Sequence, residues 1–378
     1  MSMKRTWIAV LLVAGCGDTG TDMGVTPTDG PEGPDMSAAV VDMAAAVGDM
    51  AAPTGDMGDA GAPIGDAAAR DGALPDGALP DGGEPARGEY LVKHVLFCGS
   101  CHTTPDAMGN ASMDPTKFLA GGRVFTVTGG DAGMITIRVP NITPDKATGI
   151  GNWGTDQLRN AIKMGVDNTG RPLFPIMPYY QFALLSDDDA TAIAVYLKTI
   201  VTAQSNAVAA NPALLPMPAP ALDDTKIPHT TLAANDPNFA SAERGRYLVK
   251  VSCTECHTMH NASPFPSVLD LSKAYAGGET FPLAPGFTTV SANITPDATG
   301  LPGWTAGDVK NTLLLDKEKG TGRTLCPPMP GGANAAGGMT DGDLTDVSNF
   351  VHTLPPIKNG PFGCTDGGVP FGAPDGGL

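Results

Sequence analysis

Two short runs carry the residues best suited to chemistry: Cys98-Gly-Ser-Cys101-His102 and Cys253-Thr-Glu-Cys256-His257. Cys-x-x-Cys-His is the attachment signature of c-type haem. Two thiols add to the porphyrin vinyl groups, and the adjacent histidine reaches the iron. Zinc half-sites and thioredoxin-like redox pairs also use Cys-x-x-Cys. Zinc, however, does not require a histidine directly after the second cysteine in both copies. A redox pair belongs beside a βαβ pattern, and none is visible. The motifs therefore predict two covalently bound haem c groups, with His102 and His257 as proximal ligands.

A haem iron held by histidine needs a sixth ligand unless the site binds a small molecule, and methionine is the usual partner in electron-transfer cytochromes. Met177 and Met329 occupy equivalent places, each 36 positions after an Asn-Ile-Thr-Pro-Asp run that starts at Asn141 or Asn293. Pro175 and Pro178 flank the first; Pro327, Pro328 and Pro330 surround the second. Proline stiffens such loops, so sulfur can be held on iron at little ordering cost. Met177 and Met329 are the expected distal ligands. Met164 is the rival in the first copy, Met259 and Met339 in the second. His94 and His260 could be imagined as bis-histidine ligands, but neither has a counterpart in the other copy, and both read as solvated or capping residues. Trp153, Trp304, Asn141 and Asn293 offer N–H groups suited either to a haem propionate or to loop packing.

The elements that must position these residues come in duplicate. Arg87-Gly-Glu-Tyr-Leu-Val-Lys93 and Arg244-Gly-Arg-Tyr-Leu-Val-Lys250 each open a helix leading into a haem motif. Each copy closes on an amphipathic helix, with Ser186 or Thr340 as N-cap and acids in the first turn. Ile193, Tyr196 and Leu197, and likewise Leu344, Val347, Phe350 and Val351, should pack on the helix carrying Tyr90 or Tyr247.

Of the seven cysteines, three lie outside the haem motifs. Residues 1–15 carry Lys4 and Arg5 and then the apolar run Trp7 to Ala14, too short to span a bilayer, which reads as a signal peptide. It ends in Leu12-Val-Ala-Gly-Cys16, a lipobox-like run that makes Cys16 the expected lipidation site and membrane anchor. Gly17 lacks an inner-membrane retention residue, which favours the outer membrane. Cys326 and Cys364 remain, and in an oxidising compartment they are expected to be bridged. Residues 16–86 repeat Gly-Asp, Asp-Met and Ala-Pro units, and 14 acids in 17–86 face the single base Arg70. With no aromatic residue and much like charge, this segment should be a disordered acidic tether. Most of the chain's formal charge of -17 resides there, which leaves no basic surface for nucleic acid.

The motifs together resemble the multi-haem cytochrome c subunits of membrane-associated bacterial dehydrogenases, such as those for alcohols, gluconate or nicotinate. The likeness rests on Arg-Gly-x-Tyr-Leu-Val before the haem motif, on Asn-Ile-Thr-Pro-Asp followed by Thr-Gly-x-x-x-Trp, and on Met-Pro before a Leu-Ser-Asp-Asp-Asp type helix. It implies an all-α fold of two tandem class I-like cytochrome c domains, 87–202 and 241–358, joined by a linker at 203–240 and followed by a Gly-rich tail at 359–378. It implies that His102 and His257 are proximal and Met177 and Met329 distal ligands. It also implies single-electron transfer between a periplasmic dehydrogenase and a downstream redox carrier. Members often have three haem domains where this chain has two, and a C-terminal membrane segment where its tail is polar. The expected place is the periplasmic side of a bacterial membrane. The alternative is a di-haem peroxidase with one open iron site, against which the equivalent Met-Pro loops argue.

Overall fold

The computed structural model of the chain describes residues 84–105, 114–128, 134–212, 218–261, 268–284, 287–326, 328–329, 338–360, 362 and 364–365. The expected signal peptide, Cys16, nearly all of the tether and most of the Gly-rich tail lie outside the described residues. All described residues belong to one of the chain's two compact units, 1–15 with 70–378; the other is 16–69.

The first half starts with α1 (Glu84–Tyr90), which runs on as a π-helical turn, Leu91–Val95, into α2 (Cys98–His102). After the hairpin β1 (Val124–Thr128) and β2 (Met134–Arg138) come α3 (Thr155–Met164), the short α4 (Tyr179–Phe182) and α5 (Asp187–Thr199). The second half repeats the order with α6 (Phe239–Ser252), α7 (Thr254–His257), β3 (Thr280–Ala284), β4 (Phe287–Val290), α8 (Ala306–Leu315) and α9 (Asp341–His352). A last short strand, β5 (Cys364–Thr365), pairs with β4 through Thr289 and Cys364.

The opening and closing helices cross closely in each half, α1 on α5 and α6 on α9. Glycine in the Arg-Gly-x-Tyr run permits the crossing. A Cβ on Gly88 would lie 2.0 Å from the Ala192 carbonyl oxygen, and one on Gly245 would lie 1.9 Å from that of Asp346. The arginine beside each glycine fastens the same crossing. Arg87 donates two 2.8 Å bonds to Asp189, and Arg244 donates bonds of 2.8 and 3.0 Å to Asp346. The closing helices are capped as their sequences predict, Ser186 Oγ accepting from Asp189 N–H and Thr340 Oγ1 from Asp343 N–H. Their apolar faces, including Ile193, Tyr196, Leu344 and Phe350, are buried.

The all-α expectation is overturned. Among the described residues helix makes up only 39%, and two antiparallel sheets are present there, one of two strands and one of three. The sequence basis is visible once looked for. Val124–Thr128 and Met134–Arg138 are rich in β-branched residues that alternate in burial, with Phe125, Val127 and Ile137 facing inward. Phe125 pairs with Ile137 and Val127 with Ile135. The glycines at 129, 130 and 133 break helical propensity between the strands, so the segment forms a hairpin rather than joining a helix.

One apolar core cluster takes residues from both halves, from Leu91 and Ile193 to Leu248 and Phe350. The halves also exchange hydrogen bonds reciprocally. Tyr90 OH donates to Asp343 and accepts from Thr340 N–H; Tyr247 OH donates to Asp189 at 2.7 Å and accepts from Ser186 N–H at 3.1 Å. Each motif tyrosine thus completes the N-terminal cap of the other half's closing helix. The described residues between the halves are bonded to the first half at several points. Asn206 donates to Ala120 O, Asn211 to Arg138 O, Ala219 N–H to Tyr179 OH, and Leu222 N–H to Tyr180 O. Asp224 pairs with the buried Arg246 and Lys250 of α6.

Candidate haem-attachment sites

In each half the helix that crosses the closing helix delivers the Cys-x-x-Cys-His run onto the core. Cys98, Cys101, Cys253 and Cys256 are free thiols and only partly exposed. Burial pushes Cys98 up to about 12, and it raises Cys253 and Cys256 as well. Such thiols are held in the protonated form. Among the described residues no cluster of three or more His, Cys, Asp or Glu side chains is arranged to hold a metal ion. One histidine per half suits a metal that brings its own equatorial ligands.

The two histidines are prepared for that role in the same way. His102 Nδ1 lies 3.0 Å from Pro140 O, and His257 Nδ1 lies 2.8 Å from Ala292 O. A carbonyl can only accept, so Nδ1 carries the proton and Nε2 is left with its lone pair for iron. Burial holds both imidazoles below their ordinary pKa, which favours the neutral, ligating form. The donor set therefore fits covalent haem c.

The carbonyl acceptors are fixed by a duplicated loop framework. His102 O accepts from Gly121 N–H and His257 O from Gly277 N–H. Gly121 and Gly277 both have φ of +70°, and a Cβ there would strike Pro140 or Ser291. One position on, Val139 N–H bonds Arg123 O and Ser291 N–H bonds Glu279 O, each at 2.8 Å. Asn141 and Asn293 lock the loop from the other side. Each accepts from the backbone and hydroxyl of the threonine two residues on, and each donates to Gln204 O or Ile357 O. Both asparagines are at most 3% exposed, and their amides are used in loop packing, so they do not serve a propionate.

The expected distal residues stand on similar turns. Met177 N–H bonds Phe174 O at 3.1 Å, and Met329 N–H bonds Cys326 O at 3.0 Å. Both side chains are half-buried. Phe174 and Ile176 share an apolar cluster with Cys101 and the β1–β2 face, which brings the Met177 loop beside the first attachment motif. Met177 itself packs against a cluster formed by Tyr179, Tyr180 and, from the second half, Leu269. Of the rivals, Met164 is 59% exposed at the end of α3, Met339 packs on the main core, and Met259 lies against Gly278. Cys326 is disulfide-bonded; Cys364 stands in β5.

Sequence reading missed one cluster. His260, expected to be solvated or capping, is instead held between two carboxylates. Its Nδ1 is 3.1 Å from Glu279 and its Nε2 3.5 Å from Glu255, with Tyr180 OH 3.3 Å from that same nitrogen. Burial opposes its charge, but the hydrogen bond it donates to Glu279 and the field of both acids outweigh burial and raise its pKa. Glu255 lies inside the second haem motif, and Tyr180, three residues after Met177, donates to it from the other half. His94 packs near Tyr90 and against Gly338.

No family model matches the chain. It is 32% identical to the gluconate 2-dehydrogenase cytochrome c subunit of Pantoea cypripedii over 293 residues, 71% of this chain and 59% of that protein. It is 32% identical over 239 residues to a diheme cytochrome c-type protein of Cereibacter sphaeroides, covering 57% of this chain and 68% of that protein. The alcohol dehydrogenase (quinone) cytochrome c subunit of Gluconobacter oxydans is 27% identical over 295 residues, 72% of this chain and 55% of that protein. The chain thus spans a little over half the length of the dehydrogenase subunits it matches. Cys-x-x-Cys-His runs whose histidines are held in the same tautomer, repeated on one framework, agree with these likenesses, and the chain belongs to the family of c-type cytochromes that includes the cytochrome c subunits of bacterial dehydrogenases.

Proposed function

We propose that this chain is a di-haem electron-transfer protein that passes single electrons between the catalytic subunit of a dehydrogenase and a second redox carrier. The observation that carries the reading is the duplicated Nδ1-to-carbonyl bond, at His102 and at His257, on two intact Cys-x-x-Cys-His runs. A bound haem would supply reversible one-electron chemistry at iron. The protein's share is to hold the imidazoles in the ligating tautomer, to bury the site and to set its potential.

In this reading Cys98 and Cys101, and Cys253 and Cys256, carry the thioether links. His102 with Met177 and His257 with Met329 are the axial pairs. The domains run over 87–202 and 241–358. Cys364 is the partner of Cys326, tying the turn that presents Met329 to the strand beside β4. Cys16 carries lipid and anchors the protein on the periplasmic side of the membrane, the outer membrane being favoured. A dehydrogenase partner is supported by the relatives' names, which are those of dehydrogenase cytochrome subunits.

The test is the absorption spectrum of the oxidised protein made with haem maturation, together with a haem count per chain. Two haems and a far-red methionine-to-ferric-iron band accounting for both are expected. One haem per chain would overturn the di-haem reading. Two haems with high-spin features would overturn the paired His/Met ligation and direct the work to peroxide turnover. A Cys16→Ser variant that stays with the membrane fraction would exclude the lipid anchor.

A further inference from the structure

The two attachment sites share one framework and differ in charge. The backbone bonds to His102 and His257, the paired glycines and the locking asparagines correspond position by position. On that framework the residue before the second cysteine is Ser100 in one half and Glu255 in the other. The residue after the paired glycines is Arg123 in the first half and Glu279 in the second. Three residues past the histidine stand Pro105 and His260.

These charges lie beside equivalent atoms. Arg123 leads into β1, whose inward residues Phe125 and Val127 pack with Cys101, and its carbonyl accepts from Val139 N–H next to the His102 acceptor, whereas Glu255 adjoins Cys256 in the motif and Glu279 accepts from the His260 backbone N–H. Arg123 pairs with no carboxylate among the described residues, and its Nε is buried without a hydrogen-bond partner. On the other side Glu255, Glu279 and His260 form a closed triad whose side chains are 26%, 20% and 21% exposed. With His260 protonated the triad carries one net negative charge, so this side is more negative than the side of Arg123. The leading helices add to these charges: Lys93 pairs with Glu89, while Lys250 and the buried Arg246 share Asp224, so the second side gains one cation and is neutral in sum where the first keeps the charge of Arg123.

From this difference we infer that the two haem sites are poised at different reduction potentials, the Cys98–His102 site higher and the Cys253–His257 site lower, with Arg123 and the Glu255–Glu279 pair as the residues that separate them. Reduction adds one negative charge at iron, so a fixed cation stabilises the reduced state and a fixed anion the oxidised one. In a partly buried site this interaction is weakly screened by solvent and salt. The sites therefore fill in order, the first electron settling at the site beside Arg123. The inference rests on the di-haem reading above.

The experiment is a spectroelectrochemical titration of the haem-loaded full chain, with a haem count on each sample. The expected result is two one-electron waves. Arg123→Gln lowers the upper wave and leaves the lower in place; Glu279→Gln raises the lower wave and leaves the upper in place. The double exchange Arg123→Glu with Glu279→Arg draws the waves together or reverses their order. Coincident waves in the wild type overturn the inference, as does an Arg123→Gln shift confined to the lower wave, or unmoved waves in both single variants. If Glu279→Gln fails to load haem, Glu255→Gln supplies the same test, since it removes an acid beside the same cysteine. Fewer than two haems in the wild type would be the failure of the di-haem reading instead, and the count distinguishes the two.

Discussion

At the scale of single residues, the side chains that matter are those whose removal leaves a buried group unpaired. Asn293 is 2% exposed and bonds the Thr295 N–H, the Thr295 hydroxyl and the Ile357 carbonyl. Asn293→Ala strands these groups at a cost of about 2–3 kcal/mol, and denaturant unfolding should show that loss. Asp224 gives a pH signature. Burial pushes its carboxyl up, but the Lys250 ammonium and the Arg246 guanidinium outweigh burial and hold it below the ordinary carboxylate range. A carboxyl lower in the folded than in the unfolded chain adds stability that is fully present above the unfolded value of about 3.9. That stability is lost as pH falls through the lower folded value. Asp224→Asn should therefore flatten the acid limb of a stability-versus-pH curve and leave its neutral slope unchanged; an identical acid limb would remove Asp224 from the account.

At the scale of elements, the helix crossings govern the sites because α1 and α6 end where the attachment motifs begin. Gly245→Ala would place a methyl 1.9 Å from a backbone oxygen of α9. Neither helix backbone can yield without breaking the Arg244–Asp346 pair beside it. Overpacking of this kind costs about 1–3 kcal/mol and more where backbone must move, so a fall of at least about 3 kcal/mol is expected by thermal unfolding. Gly307→Ala is the contrast. It lies in α8 with its nearest neighbour at 3.6 Å, and the change should stay within about 0.5 kcal/mol, the gain in helix propensity being small in a first turn. The hairpins show what helical reasoning overlooks. Period-two alternation at Val124–Thr128 was present in the sequence, but attention to motifs and helical faces passes over strands of five residues.

At the scale of the whole described unit, the two halves are interlocked rather than strung together. Tyr90 and Tyr247 reach across to Asp343 and Asp189, and Tyr180 reaches to Glu255. Hydrogen bonds from buried groups to carboxylates contribute about 1.5–3 kcal/mol each. The halves should accordingly unfold in one cooperative transition, and Tyr90→Phe combined with Tyr247→Phe should split or broaden it while the haem count stays at the wild-type value. Calorimetry reads this directly; a single sharp transition in the double variant would show that the shared apolar core, not the tyrosines, couples the halves.

The sequence by itself determined the cytochrome c motif and the duplication of its framework, because haem attachment needs Cys, Cys and His at fixed spacing, and a repeat shows wherever that spacing recurs in matching surroundings. It also determined the capped closing helices, whose signals are local. The tertiary structure alone decided that the asparagines of Asn-Ile-Thr-Pro-Asp serve the loop, that His260 sits between two carboxylates, and that each motif tyrosine caps the other half's helix. Those partners lie tens to hundreds of positions apart, so no local pattern encodes them. Ser100, Glu255, Arg123 and Glu279 were readable as letters from the start, but only the shared framework turns them into opposite charges at equivalent atoms.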